Sequence, residues 1–72
     1  MELDEIFKAL SDDNRLSILK SLTNQELCAC HILDELEISQ PTVSHHLKTL
    51  CDVGLINCRV EGKWKHYQIN QA

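Results

Sequence analysis

Residues 39–54, SQPTVSHHLKTLCDVG, decide how the chain folds, because they carry a start signal, an apolar face and a stop signal in register. Ser39 reads as an N-cap, and Pro41 falls in the first turn, where its missing N–H costs nothing. Val43, Leu47 and Leu50 recur at helical spacing, and Gly54 follows Val53 as a C-terminal stop. With Val43, Leu47 and Leu50 against a core, Pro41, His45, Lys48 and Asp52 point nearly opposite. Thr42, Ser44, His46 and Thr49 flank that exposed side.

Upstream, Leu3, Ile6, Phe7 and Leu10 mark one amphipathic helix, and Leu16, Ile18, Leu19 and Leu22 mark a second, started by Ser11 or Asp12. Glu26, Leu27 and Cys28 read as a short extended piece. A helix of about two turns follows, burying Ile32, Leu33 and Leu36, and the turn at Glu37, Ile38 and Ser39 leads into residues 39–54. Downstream the period falls to two. Ile56, Cys58 and Val60 alternate with Asn57 and Arg59, Glu61 and Gly62 mark a tight turn, and Lys63 to Asn70 is rich in aromatic and β-branched residues.

Four helices and then a β-hairpin make a mainly α chain with a small β element, a winged helix-turn-helix, and residues 1–72 are expected to form one such DNA-binding domain. Seventy-two residues bury only about 60% of their unfolded surface, so the core is thin.

The formal charge of −4 is unevenly spread. Residues 1–40 hold nine acids and three bases, whereas residues 41–72 hold four bases and two acids. Phosphate contact depends on the local field, so an acidic chain can still present a basic edge. The sequence has no apolar run near the roughly 20 residues that span a bilayer. Its acidic opening is unlike a secretory signal, so the expected site is the cytoplasm, away from membranes. An enzyme is disfavoured, since there is no phosphate-cradling glycine loop and no nucleophile with an evident base.

On the exposed side of residues 39–54, Gln40 can pair bidentately with adenine, and Thr42 and Ser44 can reach base or phosphate. His45 adds a donor or acceptor, and Lys48 a phosphate contact. Arg59, Lys63 and Lys65 flank the hairpin turn and would lie along the DNA backbone or minor groove. The competing reading is a winged helix used for protein contacts, a module or antagonist without specific DNA binding, which would suit the acidic N-terminal half.

These stretches resemble the ArsR/SmtB-type metal- and redox-responsive repressors. The resemblance lies in residues 7–12 (FKALSD) with 15–19 (RLSIL), in residues 40–50 (QPTVSHHLKTL) with 54–56 (GLI), and in residues 62–67 (GKWKHY). It implies a homodimeric repressor on double-stranded DNA with an inverted-repeat operator, and recognition residues at Gln40, Thr42, Ser44, His45 and His46. Family members usually continue into a further helix that helps form the dimer. Ending at Ala72 therefore implies either a dimer made by the first helix or a longer parent chain.

Four cysteines, Cys28, Cys30, Cys51 and Cys58, in a reducing compartment point to metal binding, redox sensing or plain packing. Cys28 lies at a helix N-terminus, where the dipole favours a thiolate, Cys30 follows it with one residue between, and His31 adds an imidazole. Residues 26–30 also resemble the family's thiolate sensor. That resemblance implies a thiophilic metal or metalloid such as arsenite, cadmium or zinc at Cys28 and Cys30, released repression, or thiol oxidation in its place. The family's third cysteine position is Leu33 here, so a third ligand falls to Cys51, Cys58, His31 or another subunit. Cys51 and Cys58 themselves read as small buried hydrophobes.

Overall fold

A computed structural model describes residues 2–70. Four helices combine with a three-stranded antiparallel sheet, in the chain order α1 (Leu3–Leu10), α2 (Asp13–Ser21), β1 (Leu27–Cys28), α3 (Ala29–Leu36), α4 (Gln40–Asp52), β2 (Ile56–Glu61) and β3 (Trp64–Ile69). The helix starts follow from their caps. The Asp12 carboxylate accepts from the backbone N–H of Asn14 at 2.9 Å and of Arg15 at 3.2 Å, and the Ser39 hydroxyl accepts from that of Thr42 at 3.4 Å. Glu37 ends α3 with φ of 54°, a left-handed cap that reverses the chain in three residues and sets α4 across α3. Gly54, at φ 83°, makes the corresponding stop after α4.

The core gathers residues from all four helices and from β2 and β3. Ala9, Ile18, Leu22, Ile32, Val43, Leu47, Leu50, Ile56 and Tyr67 are all buried. Each large aliphatic removed from water contributes roughly 1.5–3 kcal/mol, so α4, with three of these residues, is the most firmly seated element. Its end is tied to the sheet by the Asn70 side chain, which donates to the Gly54 carbonyl at 2.9 Å, and by the Asn70 N–H, which donates to Leu55 at 3.0 Å.

Three expectations change. The hairpin is not a free ribbon: β1 joins it, in the order β1-β3-β2, pairing Leu27 with Tyr67 and Cys28 with His66. The turn is Gly62 and Lys63 rather than Glu61 and Gly62, since Glu61 pairs with Trp64. Gly62 takes φ 62°, as a two-residue hairpin turn of the right twist requires. Only Ile56 of the alternating set is buried, while Cys58 and Val60 are exposed, because β2 runs out past the helices that cover its first residue. On α1, Leu3 and Phe7 stand 64% and 62% exposed, leaving its apolar stripe largely uncovered.

Candidate nucleic-acid interface

The two sides of α4 are sharply divided. Val43, His46, Leu47 and Leu50 are buried, while Gln40, Pro41, Thr42, Ser44, His45 and Lys48 face outward. Thr42 and Ser39 hydroxyls lie 2.7 Å apart, so the capping residue also orients the first candidate reader. Ser44 and His45, one turn on, stand exposed behind it. Lys48 Nζ donates to the Asp52 carboxylate at 2.8 Å, which raises the lysine's pKa and keeps it charged. Both partners are exposed, so this pair is worth little and a phosphate can displace the carboxylate.

His46 is the correction on this helix. It was expected beside the reading face, but it is only 6% exposed and points into the protein. Its Nδ1 lies 3.2 Å from an Arg15 guanidinium nitrogen, and its Nε2 lies 3.9 Å from the Asp12 carboxylate. Arg15 in turn donates from Nε to the Ala9 carbonyl at 2.7 Å and from a terminal nitrogen to that of Lys8. His46 therefore fastens the recognition helix to the α1–α2 corner. Helical arithmetic placed it on the margin of the exposed face, and α2 covers that margin.

Arg59, expected along the DNA backbone, is half-exposed and engaged within the chain. Its guanidinium grips Glu26 bidentately, at 2.7 and 3.2 Å, and Glu61 with its remaining nitrogen. The two carboxyls are held below the usual range, chiefly by hydrogen bonds from Arg59, and the guanidinium's own pKa is pushed up. Arg59 thus clamps the wing to the segment before β1, and its charge is already matched. The wing's uncommitted cations are Lys63 and Lys65, both exposed and in no ion pair among the described residues. Lys63 Nζ sits 6.0 Å from the centre of the Trp64 ring.

Between α4 and the hairpin runs a groove of about 730 Å³. Leu33, Val43, Leu47 and Tyr67 form its apolar floor; Gln40, Ser44, Lys48, Lys63 and Lys65 stand at its rim, and no acid lines it. In a chain with net charge −4, this is the face that favours an anion. Sequence pattern gave the individual readers and lysines, but the groove that gathers them needs the hairpin folded beside α4.

The thiol site takes shape at the start of α3. Cys28 caps the helix with extended backbone, which turns its side chain beside that of Cys30, and the two sulfurs lie 2.6 Å apart. The hydrogen bond between the two sulfurs holds the Cys28 pKa down, helped by the His31 backbone N–H, and pushes Cys30 up. One proton shared between two sulfurs is a donor set suited to a soft ion. His31 pairs with Glu35 at 3.4 Å one turn on, and among the described residues no three His, Cys, Asp or Glu side chains are grouped to hold a metal. Cys28 and Cys30 therefore fit two coordination positions of such an ion and no more.

Comparison with known proteins adds three findings. A model of bacterial regulatory proteins of the arsR family matches residues 12–57. The chain is 49% identical over 71 residues to the arsenical resistance operon repressor of Staphylococcus aureus, covering 99% of this chain and 68% of that one. It is 41% identical to a cadmium resistance transcriptional regulatory protein CadC homolog of the same organism, covering 97% of this chain and 59% of that one. Among solved structures, HlyU from Vibrio cholerae superposes with a TM-score of 0.89 at 32% identity, covering 100% and 84% of the two chains. The homodimeric winged helix-turn-helix DNA-binding domain Mb0332 of Mycobacterium bovis superposes at 0.87 with 31% identity, covering 94% and 63%.

Proposed function

The chain belongs to the arsR family of bacterial regulatory proteins and is a DNA-binding transcriptional repressor rather than an enzyme, and from this premise we propose which residues hold its operator and what releases it. Gln40, Thr42, Ser44 and His45 enter the major groove and read base edges, Lys48 meets phosphate, and Lys63 and Lys65 follow the backbone from the wing. The observation that carries this reading is the divided α4: a polar side bare to solvent, backed by a fully buried apolar side, beside a groove with three lysines and no acid.

An inverted repeat requires two copies of α4 related by a two-fold axis. The uncovered Leu3 and Phe7 on α1 are the surface we assign to that homodimer, supported by the homodimeric state named for Mb0332. Residues 1–72 then act as one DNA-binding unit. No helix among the described residues is long and apolar enough to cross a membrane, and the repressor is assigned to the cytoplasm, where its DNA is.

We assign Cys28 and Cys30 as the effector site for arsenite or a thiophilic divalent ion such as cadmium or zinc. The relatives named for arsenical and cadmium resistance support that chemistry. The bound ion would draw both sulfurs into thiolate form, with its remaining ligand supplied from outside the pair. Cys28 is the cap of α3, and α3 packs on α4, so tightening the cap re-aims the reading helix. A coupling of about 1–3 kcal/mol is enough to release an operator.

Fluorescence anisotropy with the inverted repeat of the gene's own promoter, at two salt concentrations, tests the first claim. Tight binding with a steep salt slope is expected of the reduced protein, whereas no binding would transfer the case to a protein-contact module. Mass spectrometry with arsenite, cadmium and zinc tests the second. Binding that persists in both Cys28→Ser and Cys30→Ser would remove the pair from the effector site.

A further inference from the structure

The groove between α4 and the wing contains two thiols that neither operator reading nor the Cys28–Cys30 pair accounts for. Cys51, half-buried, is in the last turn of α4, and Cys58, exposed, is on β2; they line the same groove from its two walls. Cys58 is the ladder partner of Tyr67, a buried residue that lines the same groove. The connection from helix to strand is short and fixed. The Gly54 N–H donates to the Cys51 carbonyl and the Leu55 N–H to that of Leu50, each at 3.0 Å. The two cysteines are thus held on elements that cannot drift apart without breaking the turn.

Their electrostatics agree. Burial, and next to it Cys58, pushes the Cys51 thiol up, while burial and both cysteines push the Tyr67 hydroxyl to about 12. Cys51 thus feels Cys58, and the nearby phenol stays protonated.

We propose that Cys51 and Cys58 are a second dithiol site, which a hydroperoxide closes to a disulfide across the groove, tying the end of the recognition helix to the wing. The exposed Cys58 reacts first. Its sulfur attacks the terminal peroxide oxygen, the O–O bond breaks, and an alcohol leaves with the proton released from the thiol. The Cys51 sulfur then attacks the Cys58 sulfenic acid, the S–O bond breaks and water departs. Two thiols are oxidised by two electrons, and one hydroperoxide is reduced by two. The shielded, raised Cys51 is slow to meet oxidant by itself, which gives the order of the two steps.

The test uses the full chain carrying Cys28→Ser and Cys30→Ser, with its fold checked by circular dichroism, so that Cys51 and Cys58 are the only thiols. Treatment with tert-butyl hydroperoxide is expected to remove the mass of two hydrogens and to take the alkylatable thiols from two to none. It is also expected to quench the single tryptophan, Trp64, which lines the same groove, with everything reversed by dithiothreitol. Adding Cys51→Ser should abolish the mass loss and leave a sulfenic acid on Cys58 that dimedone traps. Sulfinic acids on both residues without that loss, bridges only between chains, or thiols that stay alkylatable while free cysteine in the same tube is oxidised would each overturn the proposal. The mass readout needs no DNA, so it stands or falls separately from the operator reading.

Discussion

The recognition helix and the wing present similar polar chemistry in the sequence, yet folding treats them differently. On α4 the exposed side keeps nearly all its readers free, because the opposite side supplies the anchoring through Val43, Leu47 and Leu50. The wing has no such backing beyond Ile56 and Tyr67, so it anchors itself with charge, and Arg59 is spent on Glu26 and Glu61. A helix can separate holding from reading by face. A two-stranded extension past its support must use some of the residues that would otherwise read.

The largest test of that contrast is Leu50→Ala, which should cost about 2–5 kcal/mol, a large share of a small domain's stability, and lose operator binding only through unfolding. Urea denaturation checks it. If the variant stays folded at full stability, α4 is not anchored as described. Next, Ser44→Ala should leave urea stability nearly unchanged. It should weaken the operator by about 1–3 kcal/mol, roughly 5- to 150-fold, while barely altering affinity for unrelated DNA. Equal losses on both DNAs would make Ser44 a backbone contact instead.

The wing should respond more weakly and without sequence preference. Lys63→Ala is expected to lower affinity for all DNA alike and to reduce the salt slope by about one. Glu26→Gln sharpens the point, because freeing part of Arg59 should raise affinity for any DNA sequence at low salt. If Arg59→Ala instead proves as damaging as Lys63→Ala, the clamp does not occupy the arginine.

The smallest effect concerns the corner that holds α4. Hydrogen bonds from the Arg15 and Asn14 backbone, with His46 nearby, keep the Asp12 carboxyl below its ordinary value of 3.8. A depressed folded pKa gives stability that is complete above that value and is lost as the pH falls through the folded one. Thermal melts of Asp12→Asn should therefore lie below the parent at neutral pH and converge with it in acid. Parallel curves would exclude the linkage.

Much of this was legible in residue order. Ser39, Pro41 and the 43–47–50 spacing placed α4, the Ser11–Asp12 pair placed the start of α2 to within one residue, and the change of period after Gly54 placed the hairpin, because caps and periodicity are local properties of the chain. The same arithmetic misjudged His46 and Cys58. Whether a marginal helix position is covered depends on where α2 lies, and whether a strand's inner face is buried depends on how far the helices beneath it extend.

The sequence alone determined the elements, their order and the set of side chains able to meet DNA. Tertiary structure decided which of those remain available: it closed His46 against Arg15, matched Arg59 with Glu26 across 33 residues of chain, and put Cys51 opposite Cys58. Backbone hydrogen bonds and turn chemistry act over a few residues. Desolvation and ion pairing act through space, and their partners are not named until the chain has folded.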